Sequence, residues 1–405
     1  SAVPAQSLPS GPVLPPQQLL DRYGLERAWW NHAVNDPERE TLLHLTADEV
    51  IVYALSSSNV LTAFEAESGR KLWAVQLGRS NQAGFPVTSN DELALAVVGT
   101  HLYAIDKWNG DIEWTLRLPC AASTSPTIDL QRVYVGCLNG TLYAFNLEPI
   151  RGLHAEGLLP QWSFHATAWK YSTSNEIAVP PVSTGRIVYF ANMGGQLYAV
   201  EAGTRRLAFQ FETNNPIVAR IGHAFGNLYV ATRDFNNKSD VYCLDAETGH
   251  TIWKFPSGLG VSKAPMIIGP DLYLTPDGGG IYNLDALTGE QRWWIPRVDG
   301  FLAATQSMLF TVDTLGNLIL LSRADGGVIG AVPMRRFDVH YRNDRTDRLF
   351  VGTSTGLIMC IREKASDYPL YHKYPERRPI LPEFAPEPVA EGPMEEPAAE
   401  PQPEM

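Results

Sequence analysis

A five-residue signal close to Leu-Tyr-Ala-x-Asp recurs along the chain and limits what it can fold into. Six copies are plain, at 61–65, 102–106, 142–146, 197–201, 241–245 and 281–285. Two weaker copies follow at 318–322 and 358–362. Their last positions are separated by 41, 40, 55, 44, 40, 37 and 40 residues. Eight copies at a period near 40 residues describe an array of similar supersecondary units.

Each unit has the same grammar. A β-rich run precedes the signal, and a tight turn separates the two, as at Asn139-Gly140, Gly194-Gly195, Gly278-Gly279 and Gly316-Asn317. Such dipeptides supply the positive φ angles a short hairpin needs. A second turn after the signal ends in Gly69, Gly110, Gly249, Gly289 or Gly326, and four residues later stands Trp73, Trp114, Trp253 or Trp293, with Gly330 in the seventh unit. Phe209 takes the Trp place in the fourth unit, and in the third, whose turn is enlarged, Trp162 is the expected equivalent. One more apolar run opens each unit. The runs alternate with period two and are rich in Tyr, Val and Ile, which disfavours helical repeats. Four short antiparallel strands per unit cannot cover both faces of their own sheet. Stacking the sheets radially does, and the expected fold is an all-β propeller. Trp73, Trp114, Trp162, Trp253 and Trp293 are then structural, as flat rings packed between neighbouring blades.

The eighth unit has three strands, around 337–341, 348–352 and 357–362, and no Gly or Trp where the fourth should fall, near 367–371. The N-terminal segment 26–34 reads as an orphan fourth strand, with Trp29 or Trp30 in the Trp place. It is expected to complete the last blade and close an eight-bladed ring. Seven blades is the alternative, because units seven and eight are degenerate.

Composition sets the remaining bounds. The 405 residues are 44% hydrophobic, enough for a sizeable core, and carry a net charge of −12. Residues 381–405 hold seven Glu, seven Pro and no Lys or Arg, and residues 1–16 hold five Pro. We therefore expect a Pro-rich extension over 1–19, one propeller domain over 20–374 and an acidic Pro/Glu-rich tail over 375–405. The acidic balance disfavours nucleic acid as a partner. No apolar run reaches the ~18 residues of a membrane-spanning helix, so any membrane association would come through a partner. No secretory signal and no Cys open the chain.

The pattern Leu-Tyr-Ala-x-Asp followed by Ala-x-x-Gly-x-x-x-Trp, best seen in Ala246-Glu-Thr-Gly-His-Thr-Ile-Trp253 and Ala286-Leu-Thr-Gly-Glu-Gln-Arg-Trp293, resembles the PQQ-like repeat family over roughly residues 25–363. That resemblance implies blades locked by Trp docking. The family contains quinoprotein dehydrogenases and non-enzymatic BamB-type propellers of outer-membrane assembly. The enzymes have a vicinal Cys pair, whereas Cys120, Cys137, Cys243 and Cys360 are nowhere adjacent. BamB-type lipoproteins start at a lipidated Cys, which is absent here.

No catalytic, cofactor or metal site is expected. The nine His show no zinc spacing. The oxygen-rich stretch 234–240 reads as a hairpin loop, and 278–280 as a turn leading into a strand rather than a phosphate cradle. Cys243 and Cys360 sit three blades apart and should be buried thiols. Cys120 and Cys137 lie on neighbouring strands, and a bridge and two free thiols both remain open. The long interval 147–177 breaks the rhythm, and its Trp169 and Tyr171 are the candidates for partner contact, against folding back as a lid. The expected function is a non-catalytic protein–protein scaffold, extracytoplasmic at the periplasm or outer membrane, engaging protein partners through its loops and acidic tail. A quinoprotein-like oxidoreductase and a ligand- or glycan-binding sensor are the alternatives.

Overall fold

The computed structural model describes residues 14–373, apart from 34, 35, 37, 235, 237 and 238. Most of both Pro-rich tails therefore lies outside the described residues, as does part of the loop 234–240. Eight four-stranded antiparallel sheets follow one another. Blade 1 spans residues 42–76, blade 2 88–117, blade 3 127–172, blade 4 182–212, blade 5 222–258, blade 6 266–295 and blade 7 298–332. Blade 8 combines residues 339–363 with the N-terminal strand Leu25–His32. That strand pairs from Leu25 with Glu363 to His32 with Leu357, with an irregularity between Arg27 and Trp29. The eight-bladed reading holds, and seven blades is excluded.

The burial patterns explain the sequence. The second strands Ile51–Ser56 and Leu93–Val98 are buried at every position, because a neighbouring sheet covers each of their faces. Their sequences are accordingly continuous apolar runs; period-two alternation is confined to outer strands such as Lys71–Gln76. The core is divided accordingly. One cluster joins Tyr53, Leu61 and Trp73 of blade 1 to Ala94, Ala96 and Ile105 of blade 2, and another joins Trp29 and Cys360 of blade 8 to Phe64 of blade 1. Each inter-blade seam is a separate hydrophobic layer.

The tryptophans sit in these seams. Trp73 Nε1 donates to Lys107 O of the next blade at 2.9 Å, Trp253 to Ala286 O at 3.1 Å and Trp293 to Arg323 O at 3.1 Å. Trp29 closes the ring in the same way, donating to Ala66 O at 2.7 Å. Each ring also lies on a turn glycine of that next blade. A Cβ on Gly110 would stand 2.6 Å from the Trp73 ring, and one on Gly69 2.3 Å from Trp29. Those glycines also have φ of +81° and +68°, so turn conformation and ring clearance both require glycine. Phe209 has no donor, and Tyr189 Oη supplies the bond to Ala246 O at 2.8 Å.

Candidate interaction surface

The long interval in blade 3 is a folded insertion. Asn146 ends the third strand, and a helix, Leu147–Ala155, and a 3-10 turn, Ser163–Ala166, follow before the outer strand Thr167–Ser172. Its apolar side anchors it: Leu147, Ile150 and Ala166 are buried with Leu116 and Leu118 of blade 2. Ser163 Oγ accepts from Arg117 N at 2.8 Å and donates to Pro160 O at 2.6 Å. Arg151 reaches Glu92 at 3.1 Å. The insertion is thus a rigid platform fixed to the neighbouring blade.

The structure reassigns the aromatic residues of this segment. Trp162, placed by the sequence in the inter-blade seam, is 46% exposed on the insertion. Trp169 occupies the seam instead: it is 8% exposed, pairs with Ala144, and donates from Nε1 to Ala202 O of blade 4 at 2.8 Å. Tyr171 packs against Phe190 and Tyr198, with ring centroids 5.6 Å from each. Trp169 is therefore part of the blade packing, and Tyr171 is half-buried beside it. The enlarged turn displaced the residue count that located the other tryptophans. The Trp-Lys-Tyr of 169–171, matching Trp-Lys-Phe at 253–255, is the signal that finds the right one.

What the insertion presents to solvent is a different aromatic group. Trp162 stacks on His165 at 5.4 Å, and Phe164, 64% exposed, lies 4.1 Å from the same imidazole. Beside them lies an open cavity of about 530 Å³ whose lining includes Pro149, Leu153, Leu158, Trp162 and His165. Two large rings held clear of the core by a braced helix make an apolar surface suited to a protein contact.

Insertion has a second effect on the seam. Blade 3 begins a helix, Leu147–Ala155, where blades 1, 2, 5, 6 and 7 have a turn ending in glycine. Trp114 is 3% exposed, yet its Nε1 has no acceptor among the described residues. Cys120 and Cys137 are joined by a disulfide, with Cα atoms 6.3 Å apart, while Cys243 and Cys360 are buried thiols. Burial pushes the Cys243 thiol up to about 12, so it is inert. Among the described residues, no three His, Cys, Asp or Glu side chains gather as a metal site, and no helix is long and apolar enough to cross a membrane.

The fold recurs widely. The solved BamB of Moraxella catarrhalis superposes with a TM-score of 0.63 at 16% identity, covering 84% of this chain and 97% of that one. Sqt1 of Saccharomyces cerevisiae does so at 0.60 and 9% identity, covering 82% and 98%. The computationally designed Ika8 protein gives 0.61 at 11% identity, covering 80% and 96%. In sequence, the outer membrane protein assembly factor BamB of Burkholderia pseudomallei (strain K96243) is 22% identical over 298 residues, 70% of this chain and 71% of that protein. The family described as outer membrane protein assembly factor BamB matches residues 57–203 and 219–336. With well over half its length matched, and with the docked-tryptophan propeller those repeats encode, the chain belongs to this BamB family of PQQ-like repeat propellers.

Proposed function

We propose that this protein is a non-catalytic scaffold of the bacterial cell envelope, in the periplasm or at the outer membrane, that holds a protein partner engaged in outer-membrane protein assembly. The observation that carries this reading is the exposed Trp162–Phe164 pair on the braced insertion of blade 3, in a propeller whose other large rings are mostly spent on packing. Membership of the BamB family supports the compartment and the class of partner. The Cys120–Cys137 disulfide fits an oxidising compartment. Binding alone is the mechanism, and the anchor residues are rigid aromatics whose ordering cost is already met in the free protein.

A photo-crosslinker at position 162 or 164, in cells producing the full chain, tests this directly. Expected is a crosslink to a component of outer-membrane protein assembly, together with loss of co-purification in the Trp162→Ala/Phe164→Ala variant at unchanged melting temperature. Recovery of the protein in the cytosolic fraction, or unchanged co-purification of the variant, overturns the reading. Quinone chemistry is tested separately: adding pyrroloquinoline quinone and calcium should leave the absorption spectrum unaltered.

A further inference from the structure

Antiparallel connectivity decides which features share a face of the ring. In every blade the turns from first to second and from third to fourth strand lie on one face, and the turn from second to third on the other. The insertion 147–166 joins the third and fourth strands of blade 3, so it stands on the first of these faces. Residues 364–373 follow Leu357–Glu363, the third strand of blade 8, and leave on that same face. There they cross inward over the loop that joins the first two strands of blade 8. Arg348 donates to Ser366 O at 3.1 Å, Leu370 N to Asp347 Oδ1 at 3.0 Å and His372 N to Arg345 O at 2.7 Å. His372 Nε2 lies 2.9 Å from Ala304 O, where Val298–Ala304, the first strand of blade 7, ends. The chain is thus delivered to the inner part of the face that carries the insertion.

On that face the insertion offers stacked rings beside an apolar hollow. The ring centroids of Trp162 and Phe164 are 5.9 Å apart, and His165 is 5.4 and 4.1 Å from them. The adjoining cavity of about 530 Å³ lies within the ~300–1,000 Å³ of ordinary ligand sites. Glu156 is the one carboxylate of its lining and makes no side-chain hydrogen bond or ion pair with any described residue. Aromatic-lined hollows of this kind dock polyproline II segments, whose fixed backbone loses little freedom on binding. Glu156 requires that the docked edge of such a segment carry no negative charge.

The chain continues for 32 residues beyond Lys373, and one stretch of them meets that requirement. Residues 379, 382, 385 and 388 are Pro, Pro, Ala and Pro. Polyproline II has three residues per turn, so these four fall on one uncharged edge, and Glu383 and Glu387 fall on the other two. Reach is sufficient. Pro382 and Pro388 are nine and fifteen residues beyond Lys373, about 30–32 Å and 50–54 Å of extended chain. A blade is only about 14 Å deep from its first strand to its fourth. Pro9, Pro12 and Pro15 repeat the spacing near the other terminus. Leu14 packs against the core of blades 7 and 8, however, and Pro15 O accepts from Arg27 Nη1 at 3.3 Å, so that stretch is held far from blade 3.

We infer that the Trp162–Phe164–His165 hollow of blade 3 is a polyproline receptor, and that its occupant in the free protein is the chain's own segment 379–388. The inference rests on the reading of Trp162 and Phe164 as a contact surface and gives that surface a regulator. Tethering keeps the segment at high effective concentration, so a weak contact suffices to cover the rings. A partner gains the surface by displacing the tail. Stacking carries the contact, and salt should leave it intact.

The test uses the purified full chain with a benzophenone photo-crosslinker in place of Phe384. Expected are crosslinks to residues 147–166 within one molecule, at a yield that neither dilution nor 1 M salt lowers. The yield should fall about tenfold in Trp162→Ala/Phe164→Ala, whose exposed rings leave folding intact. Pro382→Glu/Ala385→Glu/Pro388→Glu alters the tail alone and should lower the yield equally of a crosslinker placed at 164 and mapped to residues 379–388. Crosslinks that avoid the insertion, or that 1 M salt abolishes, overturn the inference. So do crosslinks between two molecules that vanish on dilution, which assign the hollow to the tail of a second copy. Partner capture from position 164 in cells is scored separately and should rise in the tail variant. Capture of an assembly component equally with and without the tail changes, and no crosslink within the molecule, overturns this inference and leaves the scaffold reading standing. The crosslink within the molecule without any capture overturns the scaffold reading alone.

Discussion

Tyr23 lies against Gly330, filling the inter-blade place that a tryptophan or phenylalanine holds elsewhere in the ring. A Cβ on Gly330 would stand 2.1 Å from Tyr23 Cε1, closer than any atom tolerates. Blade 7 gives up its own aromatic ring, and the N-terminal segment supplies one as it enters to close blade 8. Leu20 and Leu25 on either side are fully buried in the same cluster. Ring closure therefore joins the two ends of the chain by backbone pairing and by a borrowed side chain.

Tyr23→Ala should accordingly cost about 2–4 kcal/mol, as for other deletions of a packed ring. Gly330→Trp should be destabilising alone and far milder in combination with Tyr23→Ala. The non-additivity in a denaturant double-mutant cycle is the measurement. Simple additivity would mean that the two positions do not share one seat.

Trp114 and Trp73 occupy equivalent seams with different bonding. Trp73→Phe removes a donor and leaves the carbonyl of Lys107 unpaired, whereas Trp114→Phe removes an N–H that has no acceptor. Ring volume lost is the same in both. Trp73→Phe should then be the more costly by about 1–2 kcal/mol in urea denaturation. Equal losses would show that a bond to Trp114 Nε1 forms in solution.

How much of this was legible in the sequence follows from where the repeat is intact. The spacing of Gly69, Gly110, Gly249 and Gly289 to the tryptophans that follow them marked the intact blades and their strand order, whereas blade number stayed between eight and seven because units seven and eight are degenerate. It did not reveal that each glycine receives the ring of the preceding blade, since that contact exists only after stacking. Trp162 was misplaced because the insertion broke the count on which the reading rested. Tyr23 was invisible, as Gly330 announces a gap without naming what fills it from 307 positions away.

Arg205 stands where other blades have the turn glycine, and it takes φ of +61°. Left-handed backbone at a residue with a Cβ costs about 1–2 kcal/mol, part of which glycine returns through greater freedom in the unfolded chain. Arg205→Gly should therefore raise stability by about 0.5–1 kcal/mol, read as a higher denaturation midpoint. Loss of stability would show that the Arg205 side chain, which borders the groove with Lys170 and Tyr171, holds the turn by contacts that outweigh its backbone strain.

Residues 364–373 run past the last strand as a strap held by His372 N to Arg345 O at 2.7 Å, and His372 makes it sensitive to acid. Burial pushes its imidazole down to about 4 from an ordinary 6.5, against the bond that Ala304 O accepts from Nε2; the charged groups acting on it are Arg323 and Asp344. Between those two values the unfolded strap binds a proton that the folded one does not. Stability of the strap is thus complete above pH ~6.5 and falls as pH drops toward ~4, by up to about 1–3 kcal/mol. His44, His223 and His340 are also pushed down by burial and add a dependence of the same sign to the whole ring. A local measurement separates them. Amide exchange over 364–373 should accelerate between pH 7 and pH 5, after correction for intrinsic rates, and His372→Gln should remove most of that acceleration. If the variant accelerates as much as the unaltered chain, another group controls release of the strap.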